Sequence, residues 1–409
     1  MYSNQFCIHT EPVTCSTMAD LKKIYPVIII FFSLNSFHCQ RTENVRNIVR
    51  DIFKARKYDK RIRPVQNFSD YVLINISFGI SGINFLDEKT GVFSVTGFLD
   101  ISWKDEFLIW QPEVYDNVTS FTLPQGNTWL PDLILTNGVK NVKEWGGDSY
   151  YLLINHTGEI GWWPYQVFQT YCEIDVVYFP FDTQTCDLVF SIWNHDISMV
   201  QMSPGEITLY EYHENGVWTL SSNKVTVGLD ETKLYSKLRF SFTLRRKYKF
   251  YLWNLIFPLI LLGILKICSF FIPAQNGEKV SFAITLFLSY GVFLNLIISS
   301  LPENSDSISL VCAYTEVELT LGVLLVFIAS IQVKICSRDH RLEFSKYDIY
   351  LIRIFYKKEC LQKCMKNAKE GKTDWTLVTS AIDKLMIILM MFIEILMLCI
   401  FSLVFLYSL

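Results

Sequence analysis

Several signals are missing from this 409-residue chain, and each absence excludes something. Lys and Arg number 37 against 40 Asp and Glu, a formal net charge of −3, so no basic excess is available for a nucleic acid. The sequence has no metal-spaced cluster of His, Cys and acidic residues, no nucleophile elbow and no phosphate-cradling loop, which argues against an enzyme and calls for no cofactor. Cysteine is scarce in one long stretch: of eleven in the chain, residues 41–250 hold only Cys172 and Cys186. Two cysteines alone in an exported segment are expected to pair. Most of the later ones fall in apolar runs or a basic loop and read as free thiols. Cys360 and Cys364, in that loop, lack a second ligand pair and read as structural or as an acylation site.

Apolar residues are abundant. They make up 51% of the chain and aromatics 15%, with positive mean hydropathy, and they come in blocks, as in a protein that is partly in a membrane. Residues 1–40 read as an N-terminal extension and an export signal, with Lys22 and Lys23 before the apolar run Ile24 to Leu34. Residues 41–62 read as an amphipathic helix, with Val45, Ile48, Val49, Ile52 and Phe53 on one face. From Arg63 to Lys249 apolar and polar residues alternate at period two between turn signals, the pattern of a β-sandwich. Asn67, Asn75, Asn117 and Asn155 open glycosylation sequons, consistent with an extracellular surface.

Four apolar spans follow, three within residues 251–335 and the last within 381–409. Between them, residues 336–380 carry ten Lys or Arg against six Asp or Glu and include an amphipathic helix. The positive-inside rule makes that loop cytoplasmic, which places residues 41–250 outside as one domain and makes the chain a multi-pass protein of the plasma membrane. Lys266, Glu316, Glu318 and Glu394 lie inside spans and need partners. Lys266 is expected to pair with Glu394 if the first and fourth spans are neighbours.

The second span carries one unusual face. Glu278, Ser281, Thr285, Leu288, Val292, Asn295 and Ser299 recur at spacings of three or four, opposite Phe282, Leu286, Phe293 and Ile297. Such a stripe either lines a water-filled pore built from copies of the same helix or is buried in a bundle whose neighbours take its hydrogen bonds.

Thirteen residues separate Cys172 from Cys186, and among them is Phe179-Pro180-Phe181-Asp182. This resembles the signature loop of the Cys-loop pentameric ligand-gated channels. Trp103, Trp129-x-Pro131-Asp132, Gly216-Val217-Trp218, Asn254, Pro258 and Gly277-Glu278-Lys279 extend the likeness over most of the chain. The resemblance implies an extracellular β-sandwich followed by an α-helical four-span domain, assembled as a pentamer of identical or homologous subunits. It implies a gating loop through Phe179 to Asp182, acting with the segment 301–307. It also implies a pore lined by the striped face, with Leu288 as an apolar constriction and Glu278 as a ring that concentrates permeant cations.

Members similar to nicotinic acetylcholine receptors hold a quaternary ammonium in an aromatic box between subunits. Trp193, Tyr235 and Phe98 match box positions. Thr136 stands where a tyrosine is expected, the capping loop's first tyrosine is also missing, with Val227 nearby, and Leu229-Asp230 stands in place of its paired cysteines. A box short of two hydroxyl-bearing aromatics suits a small hydrophobic ligand better than a cation. This pattern is most similar to the cephalopod chemotactile branch and implies a chemosensory cation channel. An accessory or acetylcholine-responsive subunit of heteromers is the alternative. A non-conducting, membrane-anchored binding receptor is the reading from another class.

Overall fold

The computed structural model describes residues 42–139, 145–147, 149–301, 308–339, 342, 344–356 and 373–408. The expected export signal, the segment 302–307 and the pair Cys360 and Cys364 lie outside the described residues.

Helix α1 (Thr42–Arg50) continues through one wider turn, Asp51–Ala55. Its apolar face packs as expected, with Ile48 and Ile52 buried. The helix stops short of the expected end at Ile62: Lys57 takes a left-handed backbone (φ 53°), and Tyr58 turns inward. Among the described residues eleven strands follow: β1 (Val72–Asp87), β2 (Val92–Ile109), β3 (Ser120–Pro124), β4 (Leu133–Leu135), β5 (Tyr151–Asn155), β6 (Thr157–Trp162), β7 (Tyr165–Tyr171), β8 (Thr183–Ile192), β9 (Val200–His213), β10 (Trp218–Leu229) and β11 (Ser236–Arg246). One sheet runs β3-β5-β6-β2-β1-β9 with β7 also paired to β2; the other runs β10-β11-β8-β4.

Alternation decides which face of each sheet is buried. Val72, Ile74, Ile76, Phe78 and Ile80 of β1 point inward, and Leu238, Phe240, Phe242 and Leu244 of β11 meet them. Rings interlock across the sandwich, Phe78 with Phe240 at 5.7 Å and Phe93 with Phe242 at 5.9 Å between centroids.

Among the described residues four long apolar helices come next: α2 (Lys249–Phe271), α3 (Glu278–Ser299), α4 (Leu310–Cys336) and α6 (Thr376–Ser408), with the short α5 (Lys346–Phe355) between the last two. Each long helix can cross a bilayer. The fourth begins at Thr376, ahead of the expected residue 381. Trp375 and Val378 are buried against Ile352 of α5 there, so packing, not membrane hydropathy, sets that end.

One buried group makes the outer domain sensitive to pH. Asp105 accepts a 2.7 Å hydrogen bond from Tyr58, whose hydroxyl in turn accepts from the Trp129 amide. Burial pushes its carboxyl up to about 6, against the hydrogen bonds from Tyr58 and the Phe107 amide. The folded protein thus holds this proton more tightly than the unfolded chain. The stabilisation is full below the ordinary carboxylate value and is lost as pH rises through about 6, a span on the order of 2–3 kcal/mol. Asp105→Asn is expected to flatten the fall in unfolding temperature of the intact protein between about pH 5 and pH 7.5. An unchanged slope rejects the assignment.

Candidate functional site

Neighbouring strands of the smaller sheet carry three of the four expected binding residues. Trp193 follows the end of β8 and Tyr235 precedes β11, and these strands pair with Ser191 opposite Lys237. Asp132 holds the tryptophan's segment in place. Its carbonyl accepts from the Trp193 amide at 3.2 Å, and its carboxylate accepts from the Asn194 amide and lies 2.9 Å from His195 Nδ1. Trp193 is 63% exposed, so it is no part of the sandwich core. Tyr235 is half-buried, and Thr136 is exposed beside β8 with its hydroxyl donated to the Val189 carbonyl at 3.0 Å.

Phe98 belongs to the other sheet and points outward from β2. Its ring lies over Gly79, where a Cβ would sit 2.3 Å from it, and meets Tyr210 edge-on at 5.3 Å. No local signal marks Tyr210, since β9 reads there as an ordinary surface strand. Within one subunit Phe98 is therefore not gathered with the other three residues.

The capping hairpin between β10 and β11 closes on a single aspartate. Asp230 accepts from the Leu234 and Tyr235 amides, both at 2.9 Å, and from the Thr232 hydroxyl at 2.5 Å. These bonds, Thr232 first, hold its carboxyl down at about 2. The Ile197 amide ties the hairpin to the segment after Trp193 through the Leu234 carbonyl at 2.8 Å. Val227, Leu229 and Leu234 leave apolar surface exposed along it.

At the foot of the sandwich Cys172 and Cys186 form the expected disulfide, with Cα atoms 5.1 Å apart. The loop they close presses its two phenylalanines onto the spans. Phe179 packs on Tyr251 at 5.0 Å, and Phe181 packs on Tyr248 at 5.2 Å and Phe401 at 5.8 Å. The Leu310 amide donates to the loop's Val177 carbonyl at 3.1 Å. Behind them the buried Arg246 pairs with Asp182 at 2.7 Å and with Glu88 at 2.6 Å. Its guanidinium also lies over Trp218 and Phe179, 4.3 and 4.9 Å from the ring centroids. Glu88 follows Asp87 in a turn and reads in sequence as a solvated residue.

In α3 all seven residues of the striped face are exposed, while Lys279, Ala283, Leu286, Tyr290 and Ile297 pack into the bundle. The Thr285 and Ser299 hydroxyls donate back to their own helix, to the Ser281 and Leu296 carbonyls. The helices of the same subunit therefore do not cover the stripe. Lys279, next to Glu278, is buried and paired with Asp383, which also accepts from Gln332, so its charge is neutralised inside the subunit. Of the sequon residues, Asn67, Asn75 and Asn117 are exposed and Asn155 is half-buried, all on the outer domain.

A sandwich whose disulfide-closed loop rests on three of four membrane spans defines a membrane receptor subunit. Residues 45–248 match the neurotransmitter-gated ion-channel ligand binding domain and residues 255–343 the neurotransmitter-gated ion-channel transmembrane region. The chain belongs to this family of channels, in its nicotinic-like Cys-loop branch, and is a multi-pass plasma-membrane protein rather than an enzyme. It is 32% identical to the neuronal acetylcholine receptor subunit alpha-2 of Gallus gallus over 67% of this chain and 54% of the relative. It is also 32% identical to the acetylcholine receptor subunit beta-type acr-2 of Caenorhabditis elegans, over 73% and 52%. With the neuronal acetylcholine receptor subunit beta-3 of Gallus gallus it shares 29% identity over 79% and 71%. The chain spans about half the length of the first two relatives.

Removing Arg246 leaves the buried Asp182 and the half-buried Glu88 without their counter-charge. Arg246→Met is expected to destabilise the folded protein by about 3–5 kcal/mol, read as a lower unfolding temperature of the purified protein. A loss below ~1 kcal/mol, the range of surface pairs, would show that the pair contributes little.

Proposed function

We propose that this chain is one subunit of a pentameric, cation-selective channel opened by an extracellular ligand bound between subunits. The observation that carries the reading is the exposure of the whole stripe from Glu278 to Ser299 while the opposite face of α3 is packed. Hydroxyls, an amide and a carboxylate in a membrane span need water or a polar partner. Five copies turned inward supply a water-filled path. In that path Leu288 and Val292 form an apolar constriction and Glu278 a ring of negative charge at the cytoplasmic mouth. With Lys279 neutralised by Asp383, the ring's sign is that of Glu278.

The ligand would sit between Trp193, Tyr235 and Thr136 of one subunit and the outward face around Phe98 of the next. Exposed Val227, Leu229 and Leu234 on the capping hairpin, with a threonine in a tyrosine's place, favour an uncharged hydrophobic molecule over a quaternary ammonium. A chemosensory role of the chemotactile kind follows from that pocket. Opening is a population shift: a ligand that binds the open arrangement more tightly draws the pentamer into it. The push passes from the hairpin and β8 through the loop Phe179 to Asp182 and Arg246 into α2. The four sequons would carry glycans on the outer face.

Voltage clamp of cells expressing this chain alone tests the proposal. Inward current to poorly soluble terpenoids or steroids, without a response to acetylcholine, is expected. A response to acetylcholine rejects the hydrophobic pocket, and silence with protein at the surface favours an accessory subunit. In a conducting receptor Glu278→Gln is expected to lower the cation-to-anion permeability ratio, measured from reversal potentials in diluted salt. Asp230→Ala is expected to raise the half-maximal ligand concentration about tenfold, the loss of ~1.4 kcal/mol of hairpin ordering.

A further inference from the structure

The membrane domain contains a buried ionic cluster whose charges do not balance. Lys266 of α2 contacts Glu318 of α4 at 2.5 Å and Glu394 of α6 at 2.8 Å, with all three side chains buried. Tyr290 of α3 and Tyr314 of α4 complete the surroundings. The Lys266 ammonium lies 6.0 Å from the Tyr290 ring centroid. Each of the four spans thus supplies a titratable group, and one ammonium faces two carboxylates. Glu318 Oε1, Glu394 Oε1 and the Tyr290 and Tyr314 hydroxyls are buried and make no well-aligned hydrogen bond. Gly263 leaves the room for Glu394, since a Cβ there would stand 2.7 Å from its carboxylate. Among the described residues of the bundle a second ion pair, the buried Lys279 with the half-buried Asp383, is matched one to one and completed by Gln332.

A second carboxylate charge at this depth, sharing one ammonium with the first, is costly, and like charges that share a site resist ionising together. We propose that the Lys266–Glu318–Glu394 cluster is a proton-binding site that holds one proton per subunit between the two carboxylates at neutral pH. The bound proton neutralises the surplus charge and turns one glutamate into a donor for an open acceptor. Because Tyr290 brings α3 to the same cluster, release of the proton restores like-charge repulsion where all four spans meet. Proton binding at this depth does not depend on which ligand opens the channel.

Infrared spectroscopy of the intact protein in lipid nanodiscs tests it. A protonated-carboxyl band that exchanges slowly in D2O and persists at about pH 8, where Asp105 has ionised, is expected. It should be lost or reduced by one group per subunit in Glu318→Gln or in Glu394→Gln, each close in size to the residue replaced. A band indifferent to both substitutions overturns the proposal. So does its absence together with higher thermal stability in NaCl than in N-methylglucamine chloride, which puts a sodium ion in the proton's place. Should neither variant assemble, the wild-type spectrum decides alone: no slowly exchanging acid band at about pH 8 overturns the site.

Discussion

The joint between the two domains depends on a guanidinium taken out of water. Arg246 ends the last strand and stands just before the first span, so whatever holds it fixes the strand and the helix together. Two carboxylates and three aromatic faces surround it, and they come from four separate parts of the chain. A lysine cannot reproduce this, because one planar fork meets Asp182 through both Nε and Nη2 while its remaining donors reach Glu88. The disulfide-closed loop is the other half of the joint. It carries Asp182 to the arginine and Phe179 and Phe181 to the spans, so the sandwich touches α2, the start of α4 and the end of α6 through one body.

Below the joint the constraint changes from burying charge with partners to keeping charge out of lipid. The bundle meets it in two layers, with Lys279 and Asp383 near the start of α3 and Lys266 with Glu318 and Glu394 further along. Each layer ties spans that apolar packing alone holds weakly, because lipid tails compete equally well for leucine. The face of α3 turned away from these layers keeps its polar groups exposed. The helix is thus sorted by side, with buried ionic and apolar contacts on one flank and hydroxyls, an amide and a carboxylate on the other.

Much of this is legible in the sequence where periodicity is enforced by burial. The alternation in β1 and β2, the apolar face of α1 and the stripe of α3 all lie where the pattern places them, because one-sided burial leaves a repeat. The spacing of Cys172 and Cys186 carries the disulfide. Legibility ends at contacts between distant segments. An ammonium inside a span needs a partner, and Glu394 stands out as one, but Glu318 reaches the same nitrogen from a third helix, which periodicity does not reveal. Glu88, Asp383 and Tyr210 read as ordinary surface or span residues because nothing local marks a partner so far away along the chain. The start of α6 and the end of α1 depart from the sequence pattern for a related reason: Trp375 and Tyr58 are fixed by tertiary contacts that override the helix signal.

The exposed surfaces of the single subunit point beyond it. The stripe on α3 and the outward ring of Phe98 with Tyr210 are polar and apolar respectively, and each is in the wrong medium if left alone: polar groups against lipid, aromatic rings against water. A rotational array of copies removes both mismatches at once, since turning α3 toward a shared axis sets the flanks of each sandwich against its neighbours. One geometric operation would therefore account for both the proposed water-lined path and the proposed pocket between two subunits. On this reading the path and the pocket are two consequences of one assembly, and the arginine joint is what couples them.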